Sequence, residues 1–285
     1  MKKLFTICLL TIITFSGKAQ GLESFESEGK YGFKNNAGDI VLPAIYQSAE
    51  YFQNGLGLVG LDNKYGFIDN TGAFIIPNIY DEAISFYNDI TFVTLNKKVL
   101  SIDKNGKVLS VLKYDGLQDR SNRKQIGVKL NGKLGLIDYK GNEITPPIYD
   151  LIWPRKPSVQ FAFVCLNNKM GVIDINGKLI LPLIYDYVTP FNDYYINRIQ
   201  FYKAEVDGKF GVFDEFGKEL LPNIYDKINH QLEGKISVQL NGKIGYYDFE
   251  TKKIIYKNLS KEEEQDWITD ANDTKYRLSK IKNNR

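Results

Sequence analysis

The chain contains 285 residues, among them 37 basic and 34 acidic side chains, two cysteines and one histidine. So few cysteines exclude a disulfide-stapled scaffold, and one histidine excludes a histidine-rich metal site. The small net positive charge sits in the N-terminal stretch, which argues against a basic nucleic-acid-binding surface. In that stretch Lys2 and Lys3 precede an apolar run from Leu4 to Phe15, and Gly17-Lys18-Ala19 places small residues at the minus-three and minus-one positions of a cleavage site. Residues 1–19 read as a secretory signal peptide, too short to span a membrane. Cys8 lacks the small residues expected just before a lipidated cysteine. Without Lys2, Lys3 and Lys18 the chain has 34 basic and 34 acidic residues and is formally neutral. The expectation is an exported protein, periplasmic, on the outer surface or secreted, with no transmembrane span in the mature chain. About 265 mature residues can bury a core without cross-links, and Cys165 cannot form an internal disulfide.

From Lys30 onward the chain is periodic. Lys30, Lys64, Lys98, Lys133, Lys169, Lys209 and Lys243 each stand two residues before Gly32, Gly66, Leu100, Gly135, Gly171, Gly211 and Gly245. Three residues after each central position come Asn35, Asp69, Asp103, Asp138, Asp174, Asp214 and Asp248. The central positions are 34, 34, 35, 36, 40 and 34 residues apart, the mark of a repeat architecture.

Each repeat opens with period-two alternation, as in Val59/Leu61, Val93/Leu95, Val128/Leu130, Val164/Leu166 and Val238/Leu240, which predicts a strand with one buried face. Gly60, Thr94, Lys129, Cys165 and Gln239 then fall on the outward series. Turn pairs follow: Asp62-Asn63, Asn96-Lys97, Asn131-Gly132, Asn167-Asn168, Asp207-Gly208 and Asn241-Gly242. They suit a type I′ hairpin, whose two central residues need positive φ. The recurrent Lys then reads as an exposed strand residue.

The second strand carries the central Gly, which marks a close approach. The expected occupant is one of the recurrent tyrosines of a neighbouring repeat, Tyr46, Tyr80, Tyr114, Tyr149, Tyr185 or Tyr225. Asp-x-x-Gly follows, from Asp69 to Gly72 and at the equivalent places, and predicts a loop in which Asp accepts backbone N–H groups and Gly supplies a left-handed residue. A calcium loop would need more oxygen ligands at alternate positions and a distal Glu. A third strand ends at Pro43, Pro77, Pro146, Pro182 and Pro222, where the ladder loses a donor. Ile79, Ile148, Ile184 and Ile224 then begin Ile-Tyr-Asp, followed by an extended or helical link such as Glu82 to Phe86.

The fold expectation is all-β: about seven 34-residue three-stranded antiparallel meanders, stacked as an open solenoid or superhelix, with a closed seven-bladed propeller-like ring as the alternative. The boundaries are a signal peptide over 1–19, repeats over 20–259, and a C-terminal cap helix with a basic tail over 260–285. Ser260-Lys-Glu-Glu263 resembles a capping box, with Trp267 and Ile268 as apolar contacts.

The pattern Lys-aromatic-Gly-aromatic-Ile-Asp…Gly-Lys…Pro…Tyr-Asp resembles the WG-containing repeat family of bacterial proteins, over about Lys30 to Leu259. The family's Trp is replaced here by Tyr31, Tyr65, Val99, Leu134, Met170, Phe210 and Ile244. The resemblance implies a β-rich exported or envelope protein and carries over no catalytic residue. Copy three is degenerate, with Leu100 for Gly and Val111 for Pro, and copy seven has Thr251 for Gly and Tyr256 for Pro.

Chemistry is sparse. His230 reads as a surface residue of a link, no Gly-rich phosphate loop precedes a helix, and the repeated carboxylates occupy equal turns. No catalytic residue, metal ligand or cofactor is expected. The expected activity is that of a non-enzymatic interaction or scaffold module of the cell envelope, binding another protein or envelope component. The alternative is a carbohydrate or cell-wall binder. Tyr194, Tyr195, Phe201 and Tyr202, in the insertion behind the 40-residue spacing, are the candidate ligand or partner surface. Gly32, Gly66, Gly135, Gly171, Gly211, Gly245 and the Asp series read as structural.

Overall fold

The computed structural model describes residues 21–122, 125–154, 161–192, 200–231, 235–249 and 251–256. The expected signal peptide and the expected helix at Ser260 to Ile268 lie outside them. All regular structure among the described residues is antiparallel β-sheet, and no helix there is long and apolar enough to cross a membrane. The chain divides into two compact units, Met1–Leu117 and Gln118–Arg285.

Each sheet runs in chain order. The first has three strands, β1 (Glu23–Ser27), β2 (Lys30–Lys34) and β3 (Ile40–Tyr46). The second is β4 (Ser48–Ala49), β5 (Gly57–Leu61), β6 (Lys64–Ile68) and β7 (Phe74–Tyr80). The third is β8 (Glu82–Ala83), β9 (Ile90–Leu95), β10 (Lys98–Asp103) and β11 (Val108–Val111). The fourth is β12 (Gly116–Asn122), β13 (Gln125–Leu130), β14 (Lys133–Ile137) and β15 (Glu143–Tyr149). The fifth is β16 (Leu151–Pro154), β17 (Phe161–Leu166), β18 (Lys169–Asp174) and β19 (Leu179–Tyr185). The sixth is β20 (Tyr187–Asn192), β21 (Gln200–Val206), β22 (Lys209–Asp214) and β23 (Glu219–Tyr225). The seventh is β24 (Lys227–Gln231), β25 (Lys235–Leu240), β26 (Lys243–Asp248) and β27 (Lys253–Tyr256).

The fold class is as expected, and the meander gains a strand. The segment read as a link is extended and forms the first strand of the next sheet. Its entry is fixed by backbone bonds such as Asp81 N–H to Thr94 O at 2.8 Å and Asp186 N–H to Glu205 O at 2.8 Å. His230 accordingly lies in β24, opposite Ile236, and not in a loop.

The core lies between sheets. Phe33, Leu42 and Tyr46 pack against Val59 and Ile68 of the second sheet. Phe163, Val172 and Leu181 pack against Tyr202, Ala204 and Phe213 of the sixth. Each fully buried side chain of this size contributes roughly 1.5–3 kcal/mol, and a lone sheet could not collect it. Central strands are covered on both faces. Thr94 and Cys165, expected to point outward, are therefore buried, and alternation gives way to a continuous apolar run.

The central glycines admit a different neighbour from the one expected. Across β6 and β7, Tyr65 faces Tyr80 and Phe67 faces Ile76, so three residues of β7 oppose the single Gly66. This bulge folds the edge strand over the glycine. A Cβ on Gly66 would lie 2.7 Å from Asn78 Cα, and one on Gly171 would lie 2.7 Å from Leu181 O. The occupant is thus the backbone of the repeat's own third strand, while the recurrent tyrosines pair with the residue before the glycine, as Tyr31 with Tyr46 and Met170 with Tyr185. The third strand runs through its proline to the tyrosine instead of stopping. Proline is tolerated because this is the edge strand.

Copy three shows the same logic by exception. Leu100 pairs directly with Val111, and its side chain is buried with Phe67, Ile76 and Ile102. Losing the glycine and the proline together shifts the bulge and frees room for a Cβ.

The turns match expectation. Both residues of Asp62-Asn63, Asn96-Lys97, Asn131-Gly132, Asn167-Asn168, Asp207-Gly208 and Asn241-Gly242 have positive φ, as does Glu28-Gly29 at the same place in the first copy. In the next loop Asp69 Oδ1 accepts N–H groups from Thr71 at 2.9 Å and Ala73 at 3.1 Å. Asp103, Asp138, Asp174 and Asp214 accept from the same relative positions. The loop glycine meets a second demand that turn chemistry does not reveal. Besides its φ of +82°, Gly217 has Ile180 O of the preceding sheet 2.1 Å from where a Cβ would be.

Candidate functional site

The recurrent Lys is not a bystander on an exposed strand. Lys64 pairs with Asp81, Lys133 with Asp150, Lys169 with Asp186 at 2.6 Å and Lys209 with Asp226 at 2.5 Å. Every pair is 17 residues apart. The second carboxylate oxygen accepts an N–H from the next sheet's hairpin turn: Asn96 on Asp81 at 2.9 Å, Asn167 on Asp150 at 2.7 Å, Asp207 on Asp186 at 2.9 Å and Asn241 on Asp226 at 2.7 Å. The Asp of Tyr-Asp thus clasps the glycine-bearing third strand of its own sheet to the turn of the next. The Lys ammonium and the turn N–H hold these four carboxyls below the usual carboxylate range. In the first copy Gln47 replaces Asp, and its amide oxygen accepts the Asn63 N–H at 2.9 Å. The sequence signal for this clasp was present in the constant spacing of Lys and Asp, but a strand reading gave no reason to join them.

These charged pairs are therefore engaged in structure and offer no idle acid or base. Among the described residues, no group of three or more His, Cys, Asp or Glu is placed to hold a metal ion.

The candidate surface in the insertion divides. Tyr194 and Tyr195 lie outside the described residues. Phe201 and Tyr202 are buried, at 4% and 1% exposure, which removes them from any surface. The reason is that the insertion lengthens a hairpin: β20 and β21 pair as far as Asn192 with Gln200, so both rings belong to a ladder. Tyr202 packs edge-on to Phe161 at 5.2 Å, and Phe201 lies 5.9 Å from Phe249. Beside them Lys203 occupies a position held by Leu58, Phe92 and Phe163 in other copies. Its amine donates to Ile228 O at 3.3 Å and sits over the rings of Phe191 and Phe210. Burial pulls its pKa down, partly opposed by Glu205.

What remains open is the outer edge of each sheet. The residue before the recurrent tyrosine is 43–53% exposed at Ile45, Ile79, Ile148, Ile184 and Ile224. Ile40, Val41, Phe74, Ile75 and Leu179 are exposed on the same strands, and Val108 and Leu109 on β11. Such edges invite strand addition, which a bulge and a proline oppose. The edge strands β3, β7, β15, β19 and β23 carry both. They present apolar side chains in register on a backbone closed to indiscriminate pairing.

Among solved structures, the chain is similar to Kluyveromyces lactis Hsv2, at 9% identity over 83% of this chain and 94% of that one, with a TM-score of 0.35. It is also similar to the extracellular domain of the putative one component system BT4673 from B. thetaiotaomicron, at 11% identity over 80% of this chain and 38% of that one, with a TM-score of 0.35. No curated protein sequence matches the chain. The family model for the WG containing repeat matches residues 31–65, 65–98, 135–169, 170–198 and 210–243, passing over degenerate copies three and seven. With more than half of its length matched in this way, the chain belongs to the WG containing repeat family.

Proposed function

We propose that this protein is a non-enzymatic, exported interaction module of the cell envelope that binds a protein partner through the outer edges of its sheets. The observation that carries this reading is the set of half-exposed isoleucines at one repeat position, Ile45, Ile79, Ile148, Ile184 and Ile224. Repeated exposure of a large apolar side chain has no value to the core, whereas a protein partner can bury it. The polar residues of the repeat point the same way, because the Lys and Asp series is engaged in clasps and turns.

The test is affinity capture from an envelope extract, comparing the wild-type chain with a variant carrying Ile79→Ser, Ile148→Ser, Ile184→Ser and Ile224→Ser. The reading expects a partner retained by the wild type and lost by the variant. A partner retained equally by both would overturn it. The alternative, a carbohydrate binder using the insertion, loses two of its four aromatic residues to the core.

A further inference from the structure

Two tyrosines stand apart from the repeat pattern. Tyr51 is 69% exposed and Tyr87 is 40% exposed, whereas the recurrent Tyr46 and Tyr80 are buried. The repeat does not require either ring: Tyr51 corresponds to Ser85 in the next copy, and Tyr87 corresponds to Gln53 in the previous one. Both lie at hairpins joining the first two strands of the second and third sheets. Gln53 and Leu56 exchange backbone bonds at 2.9 and 3.0 Å to close one tip, and Tyr87 and Ile90 close the other.

The two hairpins are fastened to each other. Asn54 Nδ2 donates to Asn88 O at 2.5 Å, and Ser85 Oγ donates to a Glu50 carboxylate oxygen. Asp89, on the second tip, pairs with Lys104 at 2.5 Å. The result is a preorganised ledge. Two exposed tyrosines thus stand on joined hairpins that also carry the amides of Asn54 and Asn88 and the carboxylates of Glu50 and Asp89.

We propose that this ledge binds a neutral oligosaccharide. Sugars present a C–H face that stacks on an aromatic ring and hydroxyls that bond to amides and carboxylates, and the ledge supplies both. The cross-linked tips lower the ordering cost of binding. The Glu50 carboxylate disfavours uronic or sulfated sugars by like-charge repulsion. This site is separate from the outer edges, so either can fail alone.

The test is calorimetric titration of the full chain with maltotetraose, cellotetraose and chitotetraose, with polygalacturonate as the acidic comparison. At least one neutral sugar is expected to bind at millimolar or tighter affinity, with amide shifts at Asn54 and Asn88 in the wild-type NMR spectrum. Tyr51→Ala with Tyr87→Ala should weaken that binding by about tenfold or more, while the two Phe replacements keep it within about twofold, because the ring and not the hydroxyl makes the stack. Wild-type melting behaviour confirms that the variants fold. The proposal is overturned if none of the three sugars binds the wild type, if the Ala variants bind as well as it does, or if the shifts map away from these tips.

Discussion

Lys64 and Asp81 form an ion pair across the end of one sheet, and the same carboxylate accepts the Asn96 N–H of the next. One side chain therefore sets two spacings at once, within a sheet and between sheets. Lys169 with Asp186 and Lys209 with Asp226 repeat the arrangement in the second unit.

The clasp gives a pH dependence. The folded pKa of Asp226 lies below its unfolded value, so the unfolded chain binds more protons as acid is added. The stabilisation is present above about pH 4 and is lost as pH falls through the lower, folded pKa. Asp226→Asn should reduce stability at pH 7, and its difference from the wild type should shrink toward acid. Urea unfolding between pH 3 and 7 measures this, and a difference that stayed constant with pH would contradict the linkage.

The two kinds of glycine should respond differently to a methyl group. Gly171→Ala sets a Cβ against Leu181 O and should cost about 1–3 kcal/mol. Gly217→Ala adds a φ of +82° to its collision with Ile180 O and should cost more than Gly171→Ala. Gly242→Ala, with positive φ but open space around it, should cost only about 1–2 kcal/mol. Denaturant midpoints rank the three.

Lys97 holds a φ of +58° at the second turn position, where four other copies carry glycine, Gly29, Gly132, Gly208 and Gly242. Lys97→Gly should stabilise the protein by about 1 kcal/mol, read as a higher melting temperature.

Lys203 replaces an apolar residue between the sixth and seventh sheets, and burial depresses its pKa. Unfolding lets it take up a proton, so the stability of the wild type relative to a variant without this amine should rise with pH from the folded pKa to about 10.4. Lys203→Met should be about 1 kcal/mol or more stabler than the wild type at pH 7, and that advantage should shrink as pH rises. Unfolding curves from pH 7 to 10.5 test both statements.

The architecture was legible because its signals are local. Asn131-Gly132 specifies its turn through backbone φ, and Asp69 specifies its loop through two N–H groups within four residues. The missed features depend on what packs from elsewhere. Cys165 lies on an alternating strand, but coverage on both faces erases the meaning of the alternation. Gly66 announced a close approach, yet only the register of Tyr65 with Tyr80 shows that the intruder is the repeat's own edge strand. Phe201 and Tyr202 looked like part of an insertion loop because the lengthening of one hairpin cannot be separated from a loop by spacing alone. The outer isoleucines sit one residue from a buried tyrosine in a short apolar run, so their exposure emerges only once the bulge is in place.

The separation of scaffold from interaction surface is tested most directly by measuring melting temperature and partner capture together on two variants. The variant with serine at Ile79, Ile148, Ile184 and Ile224 should melt close to the wild type and lose the partner. The variant with Asp186→Asn and Asp226→Asn should melt lower and, below its melting temperature, keep the partner. An edge variant that still captures the partner, or a folded clasp variant that fails to, would contradict the account.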